Sequence, residues 1–146
     1  MSYASSKTTD TVIARHDDAG KLVLRVAVGM LVLLHGISKL STGPGFIVKM
    51  LQAHGLPGAI GYLVYIGEVL APALMILGLW TRPAAAVVVI NMIVALLLVH
   101  TGQFFAMTSQ GGWALELQGL YLFGALAVML LGAGRYAVAG PQRGLN

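Results

Sequence analysis

Four apolar stretches, each close to the length that a helix needs to cross a lipid bilayer, dominate this sequence. A spanning helix takes about 20 mainly apolar residues, because the hydrocarbon core is about 30 Å thick. The stretches cover residues 22–40, 60–80, 83–100 and 115–131. Charged residues make up only 10% of the chain, against about 25% in a soluble domain, too few to cover a water-facing surface. The sequence therefore predicts an all-α integral membrane protein, a bundle of four transmembrane helices.

The segments between the apolar stretches differ in length and character. Segment 41–59 is long, has glycine and proline at both ends, and contains an amphipathic middle, 46–54, that we expect to form a short interfacial helix. Residues 81–83 predict a tight turn in which Pro83 opens the next helix. Segment 101–114 is polar and rich in glycine. These features favour two longer connections on one side of the membrane and a short one on the other.

The ends of the chain predict the domain organisation. Residues 1–20 are polar and predict a mobile or surface-lying tail before an uncleaved first helix. Residues 21–139 form the membrane domain, and residues 140–146 form a basic C-terminal tail. Cytoplasmic loops carry an excess of Lys and Arg. Seven basic residues fall on the side of the two tails: Lys7, Arg15, Lys21, Arg25, Arg82, Arg135 and Arg143. The other side has only Lys39 and Lys49, so both termini are predicted to be cytoplasmic.

Composition also excludes several functions. The chain has no cysteine, so it forms no disulfide, performs no thiol exchange and holds no iron–sulfur cluster through thiolates. Its net charge of +4 is scattered over the ends of the apolar stretches, whereas nucleic-acid-binding proteins concentrate Lys and Arg on one face. The expected surroundings are a lipid bilayer and a protein partner, or a second copy of the chain through small residues such as Gly119, Gly124 and Ala127.

Polar residues within the apolar stretches are the candidate site, because ionisable groups are costly inside a membrane. They are Arg25, His35, Lys39, Glu68, Asn91, His100 and Glu116. The predicted topology places most of them in the outer half, with Glu68 roughly 12 Å from the outer end of its helix at 1.5 Å per residue. His35 and Lys39 share a helix face, and a stripe of Gly61, Tyr65, Glu68 and Pro72 is predicted to face the bundle interior.

Each of these residues also has a structural interpretation. Glu68 either pairs with Lys39 or Arg25 as a structural carboxylate or acts on a ligand or proton. His35 either bonds a backbone carbonyl or belongs to the site. The remaining residues favour structural roles: Arg25 as a snorkelling anchor, Glu116 and His100 as interfacial residues, and Asn91 as an interhelical hydrogen-bonding residue. The sequence predicts that Glu68 lies within hydrogen-bonding or ion-pair reach of Lys39 or His35.

Three segments resemble the DoxX family of small membrane proteins. They are LRVAVGMLVLLHGISKL at 24–40, GEVLAPALMILGLWTR at 67–82, and LLGAGRYAVAG at 130–140, with Glu116 ahead of Tyr121 between the last two. The resemblance extends over about residues 21–139 and implies a four-helix protein of the bacterial or archaeal cytoplasmic (inner) membrane. Some relatives are small subunits of a thiosulfate:quinone oxidoreductase, and others belong to membrane complexes that join thiol handling to superoxide defence. The family's polar positions fall on Arg25, His35, Lys39, Glu68, Arg82, Glu116 and Arg135.

The leading hypothesis is a membrane subunit of a redox complex that handles a quinone-like lipophilic substrate in an outer-half cavity. Glu68 and His35 are the candidate catalytic residues, since quinone reduction needs protons as well as electrons. The candidate substrate-binding residues are Lys39, Tyr65, Arg25, Glu116 and His100. No electron carrier is visible, so the electrons would come from a redox partner. The alternatives are a non-catalytic anchor or assembly factor, and a small transporter or metal-handling protein using His35, Glu68 and His100.

Overall fold

The computed structural model describes residues 3–140, with side chains from residue 14 onward, and this part of the chain is helical without a β-strand. The α-helices are α1 (Tyr3–Thr42), α2 (Gly45–Ala53), α3 (Ala71–Leu77), α4 (Thr81–Val99) and α5 (Glu116–Leu131). Within the described residues, three segments are long and apolar enough to cross a membrane: Ala14–Thr42, Gly58–Leu77 and Thr81–Val99. α5 is also apolar but has only 16 residues.

Helix α1 is longer than its apolar part. The predicted span of residues 22–40 lies inside a single helix that begins at Tyr3 and ends at Thr42. Residues 3–20 of the polar segment are therefore also helical. The amphipathic segment after it forms α2, as predicted. The C-terminal tail lies outside the described residues except for Gly140.

The second apolar stretch is not one regular helix, although the sequence predicted one. Gly58–Leu63 is a 3₁₀ helix, Ile66–Leu70 is a π-helix, and Ala71–Leu77 is the α-helix α3. Pro72 explains the irregularity, because proline has no N–H to donate to the carbonyl four residues earlier, which here belongs to Glu68. The helix widens before it, and the Ala71 N–H donates to the Ile66 carbonyl five residues back.

The short turn lies three residues earlier than predicted. Helix α4 already begins at Thr81, and the chain reverses through Gly78 and Trp80, both with left-handed backbone angles (φ 73° and 46°). Glycine enters this conformation without steric cost, which places the turn there. Pro83 sits within the first turn of α4, where a missing N–H is tolerated because that N–H would have no helical partner.

The core lies where α1, α3, α4 and α5 meet. Its buried members include Val32, Met75, Val88 and Val128. Small residues let the helices approach: a side chain at Gly124 on α5 would overlap Val28 of α1, and one at Gly119 would overlap Trp113. Both glycines, expected as a surface for self-association, are therefore occupied by contacts within the chain.

Candidate functional site

The central feature of the site is an ion pair between α1 and the π-helix. Lys39 Nζ lies 2.5 Å from both carboxylate oxygens of Glu68. Glu68 is 4% exposed, while the Lys39 side chain is 32% exposed. The predicted contact is present, and the stripe containing Gly61, Glu68 and Pro72 faces inward as expected. A buried carboxylate without a cation would be costly in an apolar environment, so this pairing explains how the chain tolerates Glu68.

Neighbouring groups hydrogen-bond to the backbone of Lys39 and to the carboxylate of Glu68. The Tyr65 hydroxyl donates to the Lys39 backbone carbonyl at 3.1 Å. Asn91 Nδ2 of α4 donates to Glu68 Oε1 at 3.4 Å. Gly67 allows this approach, because a Cβ there would overlap the Asn91 side chain. The pair is therefore held from α1, from α4 and from the segment that carries Glu68.

Gly36 determines how closely α1 approaches this segment. A Cβ at Gly36 would overlap the backbone carbonyl of Glu68. The missing side chain at Gly36 therefore lets the backbones of α1 and the π-helix come into contact. π-helical turns occur frequently at functional sites, and here the π-helical turn carries the buried carboxylate.

Two cavities meet at the ion pair. The larger, of about 460 Å³, lies between α2, α4 and the segment from Ile60 to Glu68, and its walls are mostly apolar. The smaller, of about 180 Å³, lies between α1, α4 and α5. Lys39, Glu68, Ala95 and His100 line both cavities. The ion pair thus forms part of the partition between an apolar compartment and a more polar one.

Polar side chains line the smaller cavity. The ring of His35 lies edge-on to Tyr121, and its Nε2 is 3.2 Å from the Tyr121 hydroxyl. Gln118 Nε2 lies 3.5 Å from His100 Nε2. His100 also contacts Gln103 through Nδ1, at 2.9 Å, in the connection after α4. The second cavity therefore joins the ion pair to polar groups near one end of the bundle.

Arg25 does not belong to this site. Its guanidinium is 1% exposed and donates to the backbone carbonyls of Met75, at 2.9 Å, and of Ile76 and Tyr136. It lines neither cavity, and lies about 15 Å along α1 from His35 at 1.5 Å per residue. The expectation of a snorkelling anchor was wrong, because the guanidinium turns inward to backbone carbonyls at the end of α3 and in the segment after α5.

Glu116 also lies apart from the ion pair. It opens α5, is exposed, and its Oε1 accepts the Trp113 N–H at 3.0 Å. A carboxylate in the first turn of a helix interacts favourably with the helix dipole. Glu116 lines neither cavity, so its contacts favour the interfacial interpretation.

Several residues of the site were not predicted from the sequence. Tyr121 and Gln118 line the polar cavity, but no local pattern distinguished them from other residues of an apolar helix. Gly36 and Gly67 each adjoin a polar site residue in the sequence, and that adjacency was the available signal. Among the described residues, no three His, Asp or Glu side chains gather in a group that could hold a metal ion.

Comparison with known proteins supports one family. No curated protein and no solved structure matches the chain. The DoxX family model matches residues 20–101, more than half of the 146 residues. The matched region runs from within α1 to just beyond α4 and includes His35, Lys39 and Glu68. The chain is therefore a multi-pass membrane protein that belongs to the DoxX family.

Proposed function

We propose that this protein is a membrane subunit of a redox complex and binds a quinone-like lipophilic molecule in its larger cavity. The observation that carries the proposal is the position of the Lys39–Glu68 pair in the wall of a mostly apolar cavity of about 460 Å³. Pockets for small molecules typically have about 300–1,000 Å³, apolar walls and a few polar groups that orient the ligand. A quinone has the matching shape, with carbonyl oxygens at a polar head and an apolar tail.

The cavity walls support entry from the bilayer. Four apolar side chains in the cavity wall are also exposed on the outside of the bundle: Phe46 of α2 (64% exposed), Leu63 (57%), Ile66 (45%) and Ile90 of α4 (60%). A surface of this composition faces lipid hydrocarbon without cost, and a lipid-dissolved ligand meets no polar barrier there. The tail would lie along α4 while the head reaches the ion pair.

Lys39 and Glu68 would then act on the ligand's oxygens. The ammonium group has three donors, and Glu68 occupies two of them, which leaves one for a quinone carbonyl. Reduction to the quinol takes two electrons and two protons. The electrons come from a redox partner subunit, and Glu68, which lines both cavities, passes the two protons in turn, with His35 on the side of the smaller cavity. The remaining predicted ligands have indirect roles: Tyr65 positions Lys39, and His100 lines the cavity.

The proposal includes the topology. α5 crosses the membrane as a fourth, short span, about 24 Å long at 1.5 Å per residue, both termini are cytoplasmic, and the site lies in the outer half of the bundle. The membrane is the cytoplasmic membrane of a bacterium or archaeon. Reporter fusions at residues 3 and 144 test this arrangement, and a periplasmic signal from either fusion contradicts the four-span topology.

The function is tested on protein purified in gentle detergent. Mass spectrometry of extracted lipids should find a quinone, and titration with a quinone analogue should give saturable binding that Glu68→Gln weakens at least tenfold. Glu116→Gln, which removes an exposed carboxylate outside both cavities, is the matched control and should bind normally. If no quinone copurifies and none binds, or if Glu68→Gln lowers only thermal stability, the protein is an anchor or assembly factor with a structural ion pair.

A further inference from the structure

Glu68 contacts two cavities, of which the smaller has the larger share of polar groups, and the proposed ligand needs only the larger one. Besides the residues that it shares with the larger cavity, the smaller one is lined by the polar His35, Gln118 and Tyr121 and the apolar Val32, Met92 and Leu117. Its volume of about 180 Å³ gives room for several water molecules, each of which takes about 30 Å³ in the liquid. Water in a cavity needs two to four polar partners, and the polar side chains provide them.

The polar lining continues toward one end of the bundle. His100 is the last residue before the connection to α5, and its two ring nitrogens contact Gln103, in that connection, and Gln118. Gln103 is exposed. The sequence of polar groups therefore leads from an exposed position, through His100 and Gln118, into the cavity that Glu68 lines.

We infer that the smaller cavity is a water-filled proton path that connects Glu68 with the aqueous phase beside the connection at 101–114. A proton from that phase enters through water in the cavity and forms an O–H bond on the Glu68 carboxylate, while the donor regains its proton from the next water. The His35–Tyr121 pair orients the cavity water. The inference deepens the proposed function and rests on it for the use of that proton, which Glu68 passes to a ligand on its other side.

Groups from each neighbouring element affect the proton on Glu68. Lys39 and His35 face the site from α1, Asn91 and His100 from α4, and Tyr121 from α5. Lys39 donates to both carboxylate oxygens of Glu68. A ligand oxygen bound at Lys39 would compete for these hydrogen bonds, so the ligand and the carboxylate share one cation.

Water access is tested with single cysteine substitutions. Because the chain has no cysteine of its own, a thiol reagent labels only the introduced residue. In vesicles, Gln118→Cys should react with a membrane-impermeant methanethiosulfonate at least tenfold faster than Leu120→Cys. Leu120 lies on the same helix and is 70% exposed, but it lines neither cavity. Lack of reaction in the Gln118→Cys variant, or equal reaction rates in the two variants, overturns the inference.

Proton access is tested by infrared spectroscopy of the reconstituted protein. Glu68→Gln identifies the carboxyl band of Glu68, and the rate at which this band shifts in D₂O reports proton exchange. Tyr121→Phe should slow exchange at least tenfold, whereas Tyr62→Phe, which changes an exposed tyrosine outside both cavities, should leave it unchanged. An unchanged rate in Tyr121→Phe, or no Glu68 band at any pH at which the protein stays folded, contradicts the inference.

Neither experiment uses a quinone, so the two proposals fail separately. If no quinone binds but cysteine labelling and proton exchange are rapid, the proton path stands and its proposed use is wrong. If a quinone binds but labelling and proton exchange are slow, the proposed function stands and the proton path is wrong.

Discussion

Arg25 and Lys39 are two cations on one helix, and they are used in opposite ways. Arg25 is fully buried and donates to backbone carbonyls of α3 and of the segment after α5. Lys39 lies about 21 Å further along α1 at 1.5 Å per residue, is partly exposed, and pairs with a carboxylate at the meeting point of two cavities. Residue type and membrane depth alone would have given both the same interpretation.

The difference lies in what surrounds each charge. The Arg25 end is tied together by further contacts: the Val138 N–H donates to the Leu77 carbonyl at 3.1 Å, and Asp18 Oδ1 accepts the Arg135 N–H at 3.1 Å. These bonds join the segment after α5 to α1 and α3. At the other end the charged groups border open volume. We infer that the Arg25 end serves stability and the Lys39 end serves ligand chemistry, and the following predictions test that division.

The largest expected effect is on stability at Arg25. Arg25→Met should lower the free energy of unfolding by about 3 kcal/mol or more, since each buried group left without a hydrogen bond costs about 1–3 kcal/mol. Thermal unfolding in detergent measures this loss. Arg82→Met, which removes an exposed arginine, is the control and should change stability by less than about 0.5 kcal/mol. An Arg25→Met variant with unchanged stability would contradict the structural role inferred for the Arg25 end.

Gly36→Ala should come next, with a loss of about 1–3 kcal/mol, typical of an overpacked contact. The new methyl group would push α1 away from the Glu68 carbonyl and separate Lys39 from Glu68, so ligand affinity should fall together with melting temperature. Gly20→Ala, on the same helix with nothing near its added Cβ, should be neutral or stabilising by up to about 1 kcal/mol. Equal effects at both positions would show that the approach at Gly36 is unimportant.

Glu68→Gln should affect binding more than stability. We expect at least a tenfold loss of quinone affinity, equivalent to about 1.4 kcal/mol, with a melting temperature that falls less than in Arg25→Met. Calorimetry and thermal unfolding of the same samples give the two values. The reverse pattern, a large stability loss with normal affinity, would mean that the Lys39 end of α1 has a structural role like the Arg25 end.

The smallest effect is expected at Asn91. Its hydrogen bond to Glu68 is long, at 3.4 Å, and interhelical side-chain hydrogen bonds in membranes contribute about 0.6 kcal/mol on average. Asn91→Leu, similar in volume, should therefore lower affinity by no more than about threefold. A loss as large as that of Glu68→Gln would mean that Asn91 contacts the ligand directly.

Local patterns predicted the elements better than their details. The apolar stretches, the amphipathic α2 and the start of α5 were visible because hydropathy and periodicity are local properties. The Lys39–Glu68 contact was also predictable, since a carboxylate at that depth requires a cation and topology left few candidates. The π-helix at Ile66–Leu70 was not predicted, although Pro72, its physical cause, was visible in the sequence.

Three properties could be derived from the residues alone: this chain belongs in a membrane, its helices carry buried charge, and Glu68 needs a cationic partner. Each follows from the cost of polar groups in hydrocarbon. Three others emerged from the helix packing: Arg25 binds carbonyls, Tyr121 and Gln118 join the site, and two cavities share Glu68. Those facts depend on which helix faces meet. The close approaches at Gly36, Gly67 and Gly124 set this packing, and each of them joins residues that are far apart in the chain.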